Sequence, residues 1–325
     1  VSATQGWAVG LRQILTSTDG GHTWSVQDHG SLDLTSVDFI DSAHGWAVGA
    51  SSLLQTLDGR SWTALPEPCP LLRSVHFVTP AIGFAIAGGS NLLNHGVLAP
   101  EISGELLATS TGGHSWSRLA APPDPQTVCF STPDSGWLGA AGRLYRSTDG
   151  GRTWALAATG PRPATAGYPS TMFVQCAGAS SVWAVDVGQG AAMSKQPHIG
   201  YHGDQSGANP IFAEQFFPHP GVNVTASAPG SYAGPLSAIS GSTAVFIDWC
   251  PACGLGAAQW DLATDGGASL ATKGTVGGIS QPTAASFLTP LLGWVVGVQM
   301  QGNSSITRIV RTRNGGLSWQ VQWTA

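Results

Sequence analysis

Charge is what this sequence has least of. Only 10% of its 325 residues are charged, against roughly a quarter in an ordinary soluble domain. The 13 Lys plus Arg are outnumbered by 18 Asp plus Glu, for a formal net charge of −5. Such a chain carries no basic field to neutralise phosphates, which argues against nucleic acid and acidic membrane surfaces as partners. Long apolar runs are missing as well. No stretch approaches the roughly 18 to 20 residues that a membrane-crossing helix needs, so no direct membrane insertion is expected, and no signal-peptide pattern opens the numbering. Five cysteines are too few for a disulfide scaffold. What the chain does have is 42% hydrophobic residues, 44 glycines and 13 tryptophans; this composition excludes disorder and directs attention to repeats.

Two short patterns recur. The first, Gly-Trp-Ala-Val-Gly, occupies Gly6 to Gly10 and Gly45 to Gly49, with variants at Gly83 to Ala87, Gly136 to Ala140 and Gly293 to Gly297 and degenerate copies at Val182 to Asp186 and Thr243 to Ile247. The second is Ser/Thr-x-Asp-x-Gly-x-x-Trp, whole at Ser17 to Trp24 (Asp19) and Ser147 to Trp154 (Asp149). Asn314 replaces the acid in the copy ending at Trp319, the copy around Asp265 has lost its Trp, and shortened copies end at Trp62 (with Asp58) and Trp116. A tight hairpin needs positive φ, which glycine adopts cheaply. The carboxylate accepts the turn's own amides and the tryptophan buries a large ring. These acids therefore read as folding staples rather than catalytic groups.

Further runs alternate polar and apolar at period two, among them Thr35 to Ile40, Arg73 to Val78, Thr127 to Ser131 and Ala284 to Leu288. Each unit thus comprises four strands, A to D, with Gly-Trp-Ala-Val-Gly as strand B. Seven such units, at roughly the 40 to 45 residue period of a propeller blade, predict an all-β, seven-bladed β-propeller of four-stranded antiparallel blades. The approximate blades are 1–30, 31–68, 69–122, 123–160, 168–222, 235–274 and 282–325 of one domain, 1–325. Val1 aligns with Ile40, so the first blade lacks its innermost strand A, and residues upstream of Val1 are expected to supply it unless the ring closes imperfectly.

The second pattern resembles the Asp-box (BNR) repeats of sialidases, xyloglucanase-type glycoside hydrolases and sortilin-like receptors. Coupled to Gly-Trp-Ala-Val-Gly, it looks most like the photosystem II assembly and stability factor family and its uncharacterised bacterial relatives, across nearly the whole chain. That resemblance implies a propeller that binds other proteins and does no chemistry. The chain departs from that family in its arginines, which form no run or patch, and this weakens a photosynthetic role.

Insertions concentrate in the B-to-C connections of blades 3 (Gly88 to Glu105), 5 (Gly188 to Ile199), 6 (Trp249 to Trp260) and 7 (Val298 to Ser305), whereas blade 2 makes the same connection through little more than Ala50 to Ser52. Long loops on a rigid scaffold are where binding residues sit. The binding-face candidates are His95, Glu101, Glu105, Asp186, His198, Tyr201, His202, Asp204, Asp248, Trp249 and Trp260; tolerated loop drift is the plain alternative. Blade 5 is the most altered, with Tyr201-His-Gly-Asp204 in place of the Asp box and Ile211 to Phe217 expected as strand D. His198 and His202, with Asp204 and His219 near, have metal-ligand chemistry. Four residues along a strand, however, separate them by about 13 Å, so no metal or other cofactor is assigned.

Cys250-Pro-Ala-Cys253 lacks the partner motif of a zinc site and the following His of a haem site, and reads as a local disulfide. Cys129 and Cys176 both lie in strands A, at positions of opposite facing, and a disulfide is expected between them, with Cys69 left over. Two disulfides imply an extracytoplasmic compartment: secreted, periplasmic or cell-surface. A glycosidase needs two carboxylates about 5 to 10 Å apart; once the Asp-box acids are assigned to turns, Asp186 and Asp248 are the best remaining pair, and no recognisable motif joins them. The function expected is a non-catalytic interaction scaffold for a protein partner or larger assembly. The alternative is a glycan-binding module or a glycoside hydrolase, sialidase-like or xyloglucanase-like, with Tyr201, Phe216, Trp249 and Trp260 as sugar-stacking rings.

Overall fold

The computed structural model describes residues 2–10, 12–28, 33–69, 71–88, 104–159, 170–188, 196–213, 224, 226–228, 230–250, 258–302 and 304–325. They form seven sheets. The first has three strands, β1 (Gly6–Gly10), β2 (Gln13–Ser17) and β3 (Ser25–Asp28); the second has β4 (Leu34–Phe39), β5 (Gly45–Gly49), β6 (Ser52–Thr56) and β7 (Thr63–Ala64). The third holds β8 (Leu72–Phe77), β9 (Gly83–Ala87), β10 (Glu105–Thr109) and β11 (Ser117–Leu119), and the fourth β12 (Pro125–Phe130), β13 (Gly136–Ala140), β14 (Arg143–Ser147) and β15 (Ala155–Thr159). The fifth contains β16 (Thr171–Ala177), β17 (Ser181–Val187), β18 (His198–Asp204) and β19 (Gly207–Ala213), plus a short parallel strand, β20 (Ala226–Ser227). The sixth is β21 (Tyr232–Ser240), β22 (Thr243–Trp249), β23 (Ala258–Thr264) and β24 (Ser269–Thr275), and the seventh β25 (Gln281–Phe287), β26 (Gly293–Gln301), β27 (Ser304–Thr312) and β28 (Gln320–Thr324). The chain is a seven-bladed β-propeller of four-stranded antiparallel blades whose first blade has three strands. It divides into two compact units, one built on Val1–Ser90, Leu98–Leu138 and Arg146–Ala155 and the other on the remaining residues.

One aromatic stack explains the glycine that opens strand B. A Cβ on Gly45, Gly83, Gly136 or Gly293 would overlap the ring of Phe39, Phe77, Phe130 or Phe287, the phenylalanine that ends strand A of the same blade. The other face of the ring is covered from the preceding blade. Trp7 stacks on Phe39 at 3.7 Å, Trp46 on Phe77 at 3.5 Å and Phe84 on Phe130 at 3.7 Å. The tryptophan that follows the glycine-rich turn closes the third side edge-on, as Trp62 does to Phe39, Trp116 to Phe77, Trp154 to Phe130 and Trp319 to Phe287. Glycine is thus required where a backbone and a ring must touch.

The turns at one end of six of the sheets are stitched together. In blade 4, Asp149 accepts the amides of Arg152 and Thr153 and the Thr153 hydroxyl, and the Ser147 hydroxyl accepts the Gly151 amide. Asp19 and Asp58 accept corresponding turn amides, and Asn314 accepts that of Ser318. Asp265 departs from this pattern: it sits at φ 53° in a single 3-10 turn, Asp265–Gly267. The first glycine amide of the C-to-D turn then donates to the A-to-B turn of its own blade: Gly20 to Thr4, Gly59 to Ala43, Gly112 to Ala81, Gly150 to Asp134, Gly266 to Ser242 and Gly315 to Leu291.

Two details differ from expectation. Strand D of blade 5, expected over Ile211 to Phe217, starts earlier, at Gly207, because Asp204 caps a tight hairpin through the Ser206 amide and hydroxyl; Glu214 to Phe217 lie outside the described residues. In blade 7 the long B-to-C connection becomes strand: β26 and β27 stay paired out to Gln301 and Ser304. Cys129, Cys176 and Cys250 are disulfide-bonded and Cys69 is free; Cys253 lies outside the described residues. Cys176 occupies, by register, the position that phenylalanine holds in β4, β8, β12 and β25.

Phe77→Ala removes a ring held on three sides and should cost about 3 to 5 kcal/mol of stability, read from the denaturant midpoint. The exposed Leu57→Ala should change it by less than about 0.5 kcal/mol.

Candidate functional site

The expected site residues that the structure describes fall mainly on two adjacent blades, and most point inward. In β17 and β18, Val187 pairs with His198 and Trp183 with His202. Side chains alternate along a strand, so His198 and His202 share one face of the blade, and Tyr201 and Asp186 share the other. Asp248 lies in β22 opposite Gln259, and Asp261 in β23 opposite Phe246; the two acids are diagonal neighbours on one face.

The centre of this arrangement is His198. Its Nδ1 is 2.7 Å from the Gln196 carbonyl oxygen and its Nε2 is 3.0 Å from Asp248 Oδ2. A carbonyl only accepts, so Nδ1 carries a proton. The contact between Nε2 and Asp248 then holds one further proton, whichever partner carries it. Side-chain exposure is 0% for His198 and 3% for Asp248, which makes this a buried, hydrogen-bonded pair joining β18 to β22. The Gly230 amide also points at Asp248 Oδ2, at 3.4 Å. Asp261 is buried nearby. Burial pushes its carboxyl up to about 6, the Thr272 side chain partly opposes this, and the Asp248 charge adds to it. Asp261 Oδ1 has no hydrogen-bond partner among the described residues.

The other candidates are occupied by the fold itself. His202 donates from Nε2 to the Gly241 carbonyl at 2.8 Å, and its ring lies 4.4 Å from that of Trp183. Tyr201 is buried, and burial together with the Asp186 charge drives its phenol well above its ordinary value. Asp204 caps its hairpin. Trp249 packs at 5.3 Å from Tyr232, and Trp260 at 5.6 Å from Phe287; both indoles are buried. Glu105 is half-buried and paired with Arg118 at 3.1 Å. His95, Glu101, Phe216 and His219 lie outside the described residues. His198 and His202 share a face but bind separate partners, and no group of three or more His, Cys, Asp or Glu among the described residues is placed to hold a metal ion.

Three polar residues that sequence reasoning passed over take part in the interior: Gln196, whose side-chain oxygen accepts the Ala233 amide at 3.2 Å, Asp261, and the buried Thr171. Their signal is a polar residue inside an otherwise apolar β run, as Asp261 is between Trp260 and Leu262. In chemical terms this interior holds a proton between the Asp248 carboxyl and the His198 imidazole.

No family model matches the sequence, and no curated protein does. Solved structures do share the fold. YCF48 from Cyanidioschyzon merolae superposes with a TM-score of 0.56 at 16% identity, over 89% of this chain and 84% of that one. The GH74 xyloglucanase of Xanthomonas campestris gives 0.63 at 14% identity over 99% of this chain, which spans 53% of the enzyme. A polysaccharide lyase of family PL25, an ulvan lyase, gives 0.55 at 9% identity, covering 88% and 81% of the two chains. At these identities the likeness is one of fold. No described helix is long and apolar enough to cross a membrane.

A carboxyl raised to about 6 in the folded state and near its ordinary 3.8 when unfolded binds more protons folded than unfolded. Its contribution to stability is therefore full below about pH 4 and is lost as pH rises through about 6, a swing on the order of 3 kcal/mol. The turn acids act in the opposite sense. The Thr153 hydroxyl and amide hold Asp149 down at about 2, and the amides of Ser61 and Arg60 do the same for Asp58; their stabilisation is present above about pH 4 and fails as pH falls toward 2. Asp261→Asn should flatten the stability profile between pH 4 and 6 in denaturant titrations and leave the acid limb unchanged.

Proposed function

We propose that this propeller is a non-catalytic, extracytoplasmic interaction scaffold that engages a protein partner through the B-to-C ends of blades 3, 5, 6 and 7. The observation that carries the reading is the state of the acids and histidines in the altered blades. His198 and Asp248, which a catalytic site would present to a substrate, are buried against each other with both imidazole nitrogens engaged. A general acid or base must come within hydrogen-bond reach of the group it serves, and these side chains are spent on packing one blade against the next. The disulfide-bonded cysteines support an oxidising compartment. The sequence resemblance to Asp-box assembly factors and the shared fold with YCF48 point the same way.

One observation favours a second reading, a glycan-active propeller. Asp248 and Asp261 are close enough for one carboxylate to raise the other, and glycoside hydrolysis uses two carboxyl groups. Against it stands their burial, at 2% and 1% exposure.

The two readings separate experimentally. Glu105→Arg alters a half-buried position at the B-to-C end of blade 3 and Met300→Asp an exposed one at that of blade 7; Leu317→Asp alters a residue 86% exposed in the glycine-rich turn at the other end of blade 7. The first two should weaken capture of a partner from the native extract about tenfold, roughly 1.4 kcal/mol, and the third should not. The reverse pattern would overturn the assignment. Hydrolysis of any glycan panel member that is lost in Asp248→Asn, with the thermal midpoint retained, would replace the scaffold reading with the enzyme.

A further inference from the structure

Blades 1, 2 and 4 carry an aspartate at the head of the C-to-D turn, Asp19, Asp58 and Asp149; blade 7 carries Asn314, and a glycine follows in every case. Asn-Gly occurs at no other place in the sequence. In blades 1 and 4 the second carboxylate oxygen accepts a hydroxyl, Thr23 to Asp19 Oδ2 and Thr153 to Asp149 Oδ2, both at 2.6 Å. In blade 7 the corresponding contact runs the other way. The Ser318 amide is 3.0 Å from Asn314 Oδ1, and because a backbone amide only donates, the side-chain oxygen must be the atom that faces it. The nitrogen is thereby turned to Ser318 Oγ, to which it donates at 2.9 Å.

The rest of the turn matches its relatives. The Thr312 hydroxyl donates to Asn314 Oδ1 at 3.1 Å, as Ser147 does to Asp149 at 2.8 Å. It accepts the Gly316 amide at 2.8 Å, as Ser147 accepts that of Gly151. One atom, Asn314 Nδ2, is out of keeping with a site otherwise built for a carboxylate.

The same contacts place the side-chain amide in a reactive setting. Two donors converge on Oδ1, and donors aimed at an oxygen where negative charge develops ease attack on its carbon. The nucleophile is the next nitrogen along the chain, Gly315 N, already held in place by its bond to the Leu291 carbonyl at 3.1 Å. It needs no diffusion to reach Cγ, and its residue has no side chain to obstruct the approach. The nitrogen that would leave sits on a hydroxyl, a group able to relay a proton. Asn314 is exposed, so water has access.

We propose that Asn314 is a self-modification site, at which the turn converts the side-chain amide into a carboxylate through a cyclic imide with Gly315. In the first step Gly315 N bonds to Asn314 Cγ and gives up its proton. The Cγ–Nδ2 bond breaks, and Nδ2 leaves as ammonia with that proton, relayed through Ser318 Oγ. In the second step one water opens the imide: its hydroxyl goes to Cγ, its other proton returns to Gly315 N, and the new carboxyl group then ionises. Water is consumed, ammonia is released, and no redox partner is needed. Because the Thr312 hydroxyl and the Ser318 amide activate Cγ in both steps, water adds there and not at the main-chain carbonyl. The backbone keeps its connectivity, and Gly315 regains its bond to Leu291. An oxygen now stands where Nδ2 stood, and the Ser318 hydroxyl donates to it as Thr23 and Thr153 do in their blades.

The test is peptide mass mapping of the 325-residue chain aged in heavy-oxygen water at mildly alkaline pH, folded and, in parallel, unfolded in urea. The folded chain is expected to take up label at position 314 about tenfold faster than the unfolded chain, a modest share of what oxyanion donors supply in enzymes, with aspartate as the main product. Asn209, whose following Pro210 has no amide proton to give up, should take up none. Ser318→Ala should slow the folded-state reaction about tenfold, the loss of a proton relay, and Ser318→Thr should keep it; neither should alter the rate in urea. Asn314→Asp should take up no label at that position and should melt above the unmodified parent. Slower conversion in the folded chain than in urea would overturn the proposal, since the hydrogen bonds would then protect the amide. So would isoaspartate as the main product, a Ser318→Ala chain that reacts as fast as its parent, or an Asn314→Asp chain that melts below it.

Discussion

The structure depends on the contact between a flat ring and a bare backbone. Phenylalanine at the end of strand A can lie on the first residue of strand B only if that residue has no side chain, and it is held there by an aromatic from the blade before and an indole from the turn after. Each ring therefore couples three things that would otherwise be independent: the pairing of A with B, the packing of one blade on the next, and the closure of the C-to-D hairpin. Aromatic pairs of this kind add about 0.5 to 1.5 kcal/mol beyond the area they bury. Their larger effect is on register, since a slip of one residue would put the ring over a side chain.

Where the stack is interrupted, the chain uses other chemistry. Blade 5 has Cys176 at the phenylalanine position, and that cysteine is disulfide-bonded. Its histidines bond the next blade instead of sealing their own. His202 reaches the Gly241 carbonyl of the next blade, and His198 meets Asp248. Buried polar pairs seldom repay their desolvation by attraction alone; this one is supported by two further bonds, from His198 Nδ1 to the Gln196 carbonyl and from the Gly230 amide to the same Asp248 Oδ2 that faces His198. Asp261 is less well served, and its raised carboxyl is the consequence.

Much of this was legible in the sequence, because the constraints that make it are local. The spacing of Gly-Trp-Ala-Val-Gly and of the Asp-containing turn shows the blades, and the phenylalanine lies six residues before its glycine in β4 and β5 as in β8 and β9. The hairpin acids could be set aside as turn builders for the same reason. The role of the candidate site residues was not legible. Period-two alternation tells which face of a strand a residue occupies but not what meets that face, and His198 finds its partner 50 residues away. Tyr201, Trp249 and Trp260 carry both polar and apolar surface, so their types fit a sugar platform and a core equally. The extended hairpin of β26 and β27 was hidden for a simpler reason: a polar strand that projects beyond its neighbours has the composition of a loop.

The hydrogen bond from the C-to-D glycine to the A-to-B carbonyl recurs in six blades and never leaves its own blade. A module sealed at one end by its own backbone can be copied, or have its opposite end rewritten, without renegotiating its internal geometry. A substitution at the B-to-C end of such a blade therefore leaves the seal at its other end intact.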